Sequence, residues 1–224
     1  MHRGSMNHMT FSFDVHNGSC GFLSAVCAAD AALRSKDVAN VLIVSADGHP
    51  SRQYHPEFPF SNIGSAVLLT YSKDERRGFK NYMFKTSDNS KLGYTSLFDV
   101  NNSTRERENI HFNIDEDYRE QLHAFAVGSL REYIKLYPLG LSEVDYWITS
   151  HPFKGFGKEV ADAVGLNTRY KMVDLYERYG SPHTSTLPLY YNHVSDEGLL
   201  KGKKQLFFFS AGAGFSSVCA LYVV

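Results

Sequence analysis

Excess positive charge is missing from this chain. Its 23 lysines and arginines are balanced by 24 acidic residues, so no surface is expected that would track along a phosphate backbone, and nucleic acid is not an expected partner. Long apolar runs are also missing. No stretch approaches the roughly 18 to 20 residues that span a bilayer, so no membrane segment is expected, and Phe207 to Phe209 sit in a segment of strand length. The opening Met1 to Thr10 is polar and lacks the apolar core of a secretory signal. Cysteine is scarce. Cys20, Cys27 and Cys219 are an odd count with no Cys-x-x-Cys pair, which points to neither a disulfide framework nor a thiolate metal site and fits a reducing, cytoplasmic compartment.

What the chain does have is core-forming material. Of its 224 residues 43% are apolar and 21% charged, the balance of a soluble globular protein. Thr10 to Val15 alternates like a strand, and Gly18 and Gly21 bracket a turn into a helix over Gly21 to Ser35, with Phe22, Val26, Ala29 and Leu33 at helical spacing. Asn40 to Ala46 follows as a buried strand, so the three elements predict a strand, helix, strand unit with a parallel pair. Gly64 to Tyr71 and Gly78 to Lys85 read as two strands joined by the charged turn Lys73 to Arg77, and Thr86 to Phe112 reads as polar and irregular. A long helix is expected over Asp115 to Leu136, ended by Pro138 and Gly140.

The second half repeats this order of elements. Val144 to Thr149 reads as a strand with His151 just past its end, Phe156 to Val164 and Thr186 to Glu197 as helices, and Gln205 to Ser210 and Ser216 to Val223 as closing strands. Nothing reads as a linker. The chain is therefore expected to be a single domain over 1–224, divided into 10–112 and 113–224, with polar residues of the two halves facing a common site.

Several residues stand where chemistry could occur. Ser19 and Cys20 lie where the chain turns into a helix, close to unpaired N–H groups and the positive end of the helix dipole. That setting can lower a thiol pKa to between roughly 3.5 and 7.5 and make a nucleophile; the plainer reading is a buried cysteine beside a capping serine. His151, held at the sheet edge before Pro152, can act as a base or stabilise charge. Tyr179-Gly-Ser-Pro-His-Thr-Ser-Thr186 brings Ser181 and His183 to the start of a helix, where a capped turn would look the same. Ala211-Gly-Ala-Gly214 could offer the N–H groups of Ala213 and Gly214 to an oxyanion, and a tight hairpin again looks the same.

Together these segments resemble the 3-oxoacyl-ACP synthase III family of the thiolase superfamily. Phe13-Asp-Val-His-Asn-Gly-Ser-Cys-Gly-Phe-Leu23 is similar to the family's nucleophile segment, Asn40 to Asp47 to the strand after it, and Ser150-His151 to the start of its His-Gln-Ala-Asn motif. Tyr179 to Pro188 resembles its Gly-Asn-Thr-Ser segment, and Gly212 to Phe215 its terminal glycine loop. The resemblance implies an α/β thiolase-like fold, layered α-β-α-β-α from two related halves and N-terminally incomplete here. It also implies acyl transfer or condensation through an acyl-enzyme, with CoA or acyl-carrier phosphopantetheine as substrate, no tightly bound cofactor and no metal. His183 and Phe153 are then expected at the substrate.

The departures bear on function. Aligned through Gly21-Phe22-Leu23, the family's nucleophilic cysteine falls on Ser19 and Cys20 takes the next position, so either could carry the acyl group. The family's catalytic asparagine falls on Ser181, Pro152 and Phe153 replace polar residues after the histidine, and Asn62-Ile-Gly64 replaces Gly-Asp-Gly. The expected partners are acyl-CoA or an acyl carrier protein, which Lys154 and Lys158 could meet, together with a second copy or a homologue in a dimer. Two rival readings accompany the enzyme: a catalytically degenerate partner subunit of an active ketosynthase, and a cysteine hydrolase built on Cys20 and His151.

Overall fold

The structure is a computed structural model that describes residues 10–48, 58–87, 94–100, 107–138, 143–166, 171–202, 205–212 and 214–224. The spaced apolar positions Phe22, Val26, Ala29 and Leu33 are buried together on helix α1 (Gly21–Ser35), which continues from a 3-10 turn at Gly18–Cys20 and ends at Lys36 in the left-handed conformation. Strand β1 (Asn40–Asp47) pairs antiparallel with β2 (Ile63–Thr70), Asn40 opposite Thr70 and Asp47 opposite Ile63. After β3 (Gly78–Thr86), strands β4 (Tyr94–Val100) and β5 (Arg107–Ile114) form an antiparallel pair of their own. Then come α2 (Tyr118–Leu136), β6 (Tyr146–Thr149), α3 (Phe156–Ala163), β7 (Lys171–Val173) and the single turn α4 (Tyr176–Tyr179). A second 3-10 turn at His183–Ser185 leads into α5 (Thr186–Asp196), and β8 (Gln205–Gly212) and β9 (Ser216–Val223) close the chain.

The five-stranded sheet β3-β9-β8-β6-β7 organises the rest. Strands β6, β7 and β8 run parallel, and β9 and β3 are antiparallel additions. Because side chains alternate across a sheet, Trp147, Phe207 and Phe209 pack on one face against α2 and α3, while Tyr146, Ile148, Leu206 and Phe208 pack on the other against α1 and α5. Both faces of β8 are therefore buried, which explains its unbroken apolar run. Helices α1 and α5 in turn carry the two-stranded sheet β1-β2, whose inward residues Val41, Ile43, Val67 and Leu69 join the same core. The layers run helix, sheet, helix, sheet.

Several expectations are corrected by this arrangement. Thr10 to Val15 is not a strand: Phe11 is 82% and Phe13 63% exposed, and an alternating stretch becomes a strand only where a neighbour accepts its ladder of hydrogen bonds. The predicted parallel pair is accordingly absent among the described residues, and β1 pairs antiparallel with β2 instead. Strands β2 and β3 are not a hairpin. Each serves a different layer, β2 alongside β1 and β3 alongside β9. The stretch read as irregular contains β4 and β5, and the helix expected from Asp115 begins at Tyr118, with Asp115 accepting its first N–H at 3.0 Å.

Candidate active site

The two 3-10 turns meet between the layers, Gly18–Cys20 against His183–Ser185. Period two along β1 places Ser45 and Asp47 on the inward face with Val41 and Ile43, so the end of this strand presents polar groups to the second turn. Hydroxyls fasten the two together. Ser45 Oγ lies 2.6 Å from Ser65 Oγ and 2.9 Å from Ser185 Oγ, and Ser185 also donates to the Ile63 carbonyl at 3.2 Å. Asp47 Oδ1 is 2.9 Å from His183 Nδ1, and its Oδ2 accepts the Thr184 N–H at 3.0 Å and the Thr184 hydroxyl. Burial alone would raise the Asp47 pKa, but the hydrogen bonds from His183 and Thr184 outweigh it and hold the carboxyl below its ordinary range.

Ser19 stands at the start of α1 in a small cavity of about 50 Å³ shared with Pro59, Phe60, Ile114, Tyr118, Pro152 and His183. Its carbonyl accepts the Ser210 hydroxyl at 2.6 Å, while its own hydroxyl makes no hydrogen bond among the described residues. The backbone of β8 lies directly behind it: a Cβ built on Gly212 would stand 2.6 Å from Ser19 Oγ. That glycine is required for the close approach, and sequence reasoning placed it in the glycine loop without giving it a role. The visible signal is a glycine at the end of an apolar strand, on the same face as Leu206 and Phe208.

Cys20 is placed otherwise. Its side chain is fully buried, with Sγ 3.5 Å from the Ser210 carbonyl and 3.4 Å from that of Ser216, and burial pushes its pKa up to about 12. The lowered thiol pKa expected at a helix start is reversed, because desolvation of a thiolate in the core exceeds what the helix end supplies. The Cys20 N–H is also committed, to the Asn17 carbonyl at 2.9 Å.

His151 is buried against Tyr190, its Nε2 3.4 Å from Thr149 Oγ1 and its Nδ1 3.8 Å from Asp174 Oδ1. Burial lowers its pKa, with Asp174 opposing, so the ring is held neutral. No hydrogen bond joins it to Ser19 or Cys20 among the described residues. Ser181 donates its hydroxyl to the His151 carbonyl at 2.9 Å, fixing the backbone just before the cavity-lining Pro152. Phe153 turns away from the cavity and packs edge-on to Phe156 with the Arg119 guanidinium 4.6 Å above its ring. Gly214 has φ +85° and is exposed, and Ala213 lies outside the described residues. Lys154 pairs with Glu177. A larger surface hollow lined by Glu116, Arg119, Glu120, His123, Glu159 and Asp162 contains none of the residues singled out from the sequence.

Known proteins align with this geometry. Residues 137–224 match the C-terminal family of 3-oxoacyl-[acyl-carrier-protein] synthase III. A β-ketoacyl-[acyl-carrier-protein] synthase III of Neorickettsia sennetsu is 24% identical over 209 residues, covering 92% of this chain and 63% of that protein. The chain thus spans less than two thirds of the length of this curated relative. Among solved structures, a β-ketoacyl-[acyl-carrier-protein] synthase III of Thermus thermophilus superposes with a TM-score of 0.76 at 16% identity, over 95% of this chain and 67% of that one. OleA of Xanthomonas campestris gives 0.76 at 13%, over 97% and 67%. The layered α/β arrangement is the thiolase-like fold of these structures.

Proposed function

We propose that this chain is a member of the 3-oxoacyl-[acyl-carrier-protein] synthase III family, whose C-terminal part its residues 137–224 match, and that it transfers an acyl group from a CoA or acyl-carrier thioester to a second substrate through an acyl-enzyme on Ser19. One observation carries this reading. The Ser19 hydroxyl stands uncommitted in a cavity at the first turn of α1, against the Gly212 backbone, while the adjacent Cys20 thiol faces the core. Attack by Oγ on the thioester carbonyl, with loss of the hydroxyl proton to a base, forms a tetrahedral oxyanion, whose collapse breaks the carbon–sulfur bond, returns that proton to the sulfur as a free thiol and leaves a seryl ester. The Gly214 backbone N–H, in the glycine loop that follows Gly212, is assigned to that oxyanion.

The acceptor follows from what surrounds Ser19. Ser181 occupies the place of the family's asparagine, and its hydroxyl is donated to the His151 carbonyl, so no side-chain amide is available there to hold a malonyl carbonyl. An alcohol, amine or water acceptor suits such a site better than a malonyl carrier. His151, neutral and buried, serves to support the cavity wall at Pro152.

Intact-protein mass spectrometry after incubation with a panel of acyl-CoAs and acyl-carrier donors tests this. The wild type, Cys20→Ala and His151→Ala should gain the acyl mass, and Ser19→Ala should not. A second reading, a catalytically degenerate partner subunit of an active ketosynthase, draws on the outward face of β1-β2, where Leu42, Val44 and Leu68 are exposed. An unmodified wild type with every donor would favour that subunit role.

A further inference from the structure

We propose that His183, oriented by Asp47, is the general base of this site and forms with Ser19 a serine, histidine, carboxylate relay for thioester acyl transfer. The inference rests on Ser19 as acyl acceptor and adds residues the family pattern does not assign.

Three features carry it. The first is placement: His183 and Ser19 line the same cavity from the two 3-10 turns that pack together. The second is the tautomer. Asp47 is held ionised by its hydrogen bonds and can only accept, so the His183 nitrogen 2.9 Å from Oδ1 must donate and Nδ1 carries the hydrogen. Nε2 is then the bare nitrogen, and no hydrogen bond engages it among the described residues. The third is rigidity. Phe60 stacks on the imidazole with ring centroids 4.2 Å apart and planes at 26°, and the second Asp47 oxygen is fixed by Thr184. His183 also sits at φ +47°, a left-handed backbone conformation that a non-glycine residue adopts at a cost of order 1–3 kcal/mol unless its surroundings enforce it. Enforced strain of this kind clusters at functional sites.

His151 does not line this cavity, and its carboxylate neighbour Asp174 is 3.8 Å away, beyond hydrogen-bonding distance.

The steps balance as acid–base catalysis of acyl exchange. His183 Nε2 takes the Ser19 proton as Oγ bonds to the thioester carbon. The resulting imidazolium, paired with the Asp47 carboxylate, gives that proton to the sulfur as the carbon–sulfur bond breaks, releasing a free thiol. In the second half, Nε2 removes a proton from the acceptor's hydroxyl, amine or water as it attacks the seryl ester, and returns it to Ser19 Oγ when the ester bond breaks. His183 is the catalytic residue here, and Asp47 is a positioning residue that acts through it.

The test uses a fluorophosphonate, which labels a base-activated serine whatever thioester the site prefers. Wild-type protein should be labelled at Ser19. His183→Ala should be labelled on the order of a hundredfold or more slower, and free imidazole in the buffer should restore much of the rate, a rescue that a merely structural histidine would not show. Asp47→Asn should slow labelling at least about tenfold, because an amide no longer fixes the tautomer, and Asp47→Glu should recover part of it. Circular dichroism melts of each variant identify any that fail to fold.

Absence of label on wild-type Ser19, an unchanged rate in folded His183→Ala, or lack of imidazole rescue in that variant would overturn the relay. Failure of the acyl-transfer reading looks different: His183-dependent phosphonylation of Ser19 would persist, while no thioester donor left an acyl mass.

Discussion

At the scale of single residues, the site depends on two neighbours pointing in opposite directions. Ser19 faces a cavity and Cys20 faces the core, where burial pushes its thiol up to about 12. Gly212 enforces the arrangement from behind, since a Cβ there would stand 2.6 Å from Ser19 Oγ and 3.1 Å from its Cβ. Gly212→Ala should therefore displace the hydroxyl. Acylation should fall on the order of a hundredfold, as small misplacements of a reacting group do, with a stability loss of about 1–3 kcal/mol from overpacking, read by urea denaturation. Undiminished acylation would show that the approach is irrelevant. His151 makes a separate prediction about pH. Burial lowers its folded-state pKa below 6.5, so the unfolded chain takes up the proton first as pH falls. Stability from the neutral ring is full above the unfolded value and is lost as pH falls through 6.5 towards the lower folded value. His151→Gln should flatten part of that decline, checked by urea midpoints at pH 7.5 and pH 5.5.

At the scale of elements, the second 3-10 turn is held in place by β1 and β2 through hydroxyls. Fully buried Ser185 joins Ser45 Oγ and the Ile63 carbonyl. Ser185→Ala leaves these groups short of a partner and should cost about 1–3 kcal/mol. Because the same turn carries His183, it should also slow Ser19 phosphonylation, and a full-rate variant would separate the turn from the site. Elements with their own periodicity were legible from residues alone: the helix over Gly21 to Ser35 and the strand over Ser216 to Val223 appear with those bounds. Strands β4 and β5 were not, because their short apolar runs, Leu97-Phe98 and Ile110-His-Phe112, sit in a stretch otherwise rich in Asn, Ser, Arg and Glu, and β7 is only three residues long and exists through its parallel pairing with β6. Thr10 to Val15 misled for the converse reason, an alternating pattern without a neighbour to pair with. In the site, the sequence singled out Ser19 and His183 by their turns. The Asp47 partner was hidden because 136 residues separate it from His183, and only the inward face of β1 brings them together.

At the scale of the molecule, the outermost layer is a two-stranded sheet whose outward residues are apolar. Leu42 lies opposite Leu68 and Val44 opposite Ala66, with Leu42 62%, Val44 66% and Leu68 63% exposed. An isolated two-stranded sheet is marginal in water, and a contiguous apolar patch marks an association surface. The chain should run above its 25.3 kDa mass in size-exclusion chromatography with light scattering, and Leu42→Lys with Leu68→Lys should return it to a monomer. A wild-type monomer at micromolar concentration would contradict this. The exposed residues and the site's Ser45 and Asp47 lie on opposite faces of the β1-β2 sheet, so the double variant should keep its reactivity towards fluorophosphonate.

The central claim is that the acyl group resides on Ser19 oxygen and not on Cys20 sulfur. Peptide mapping of protein trapped with an acyl-CoA donor, with and without neutral hydroxylamine, tests it most directly. An oxygen ester on the peptide containing Ser19 should survive neutral hydroxylamine and vanish in Ser19→Ala. An adduct that hydroxylamine removes and that disappears in Cys20→Ala would be a thioester on the thiol, and would contradict both the buried placement of Cys20 and the chemistry built on its neighbour.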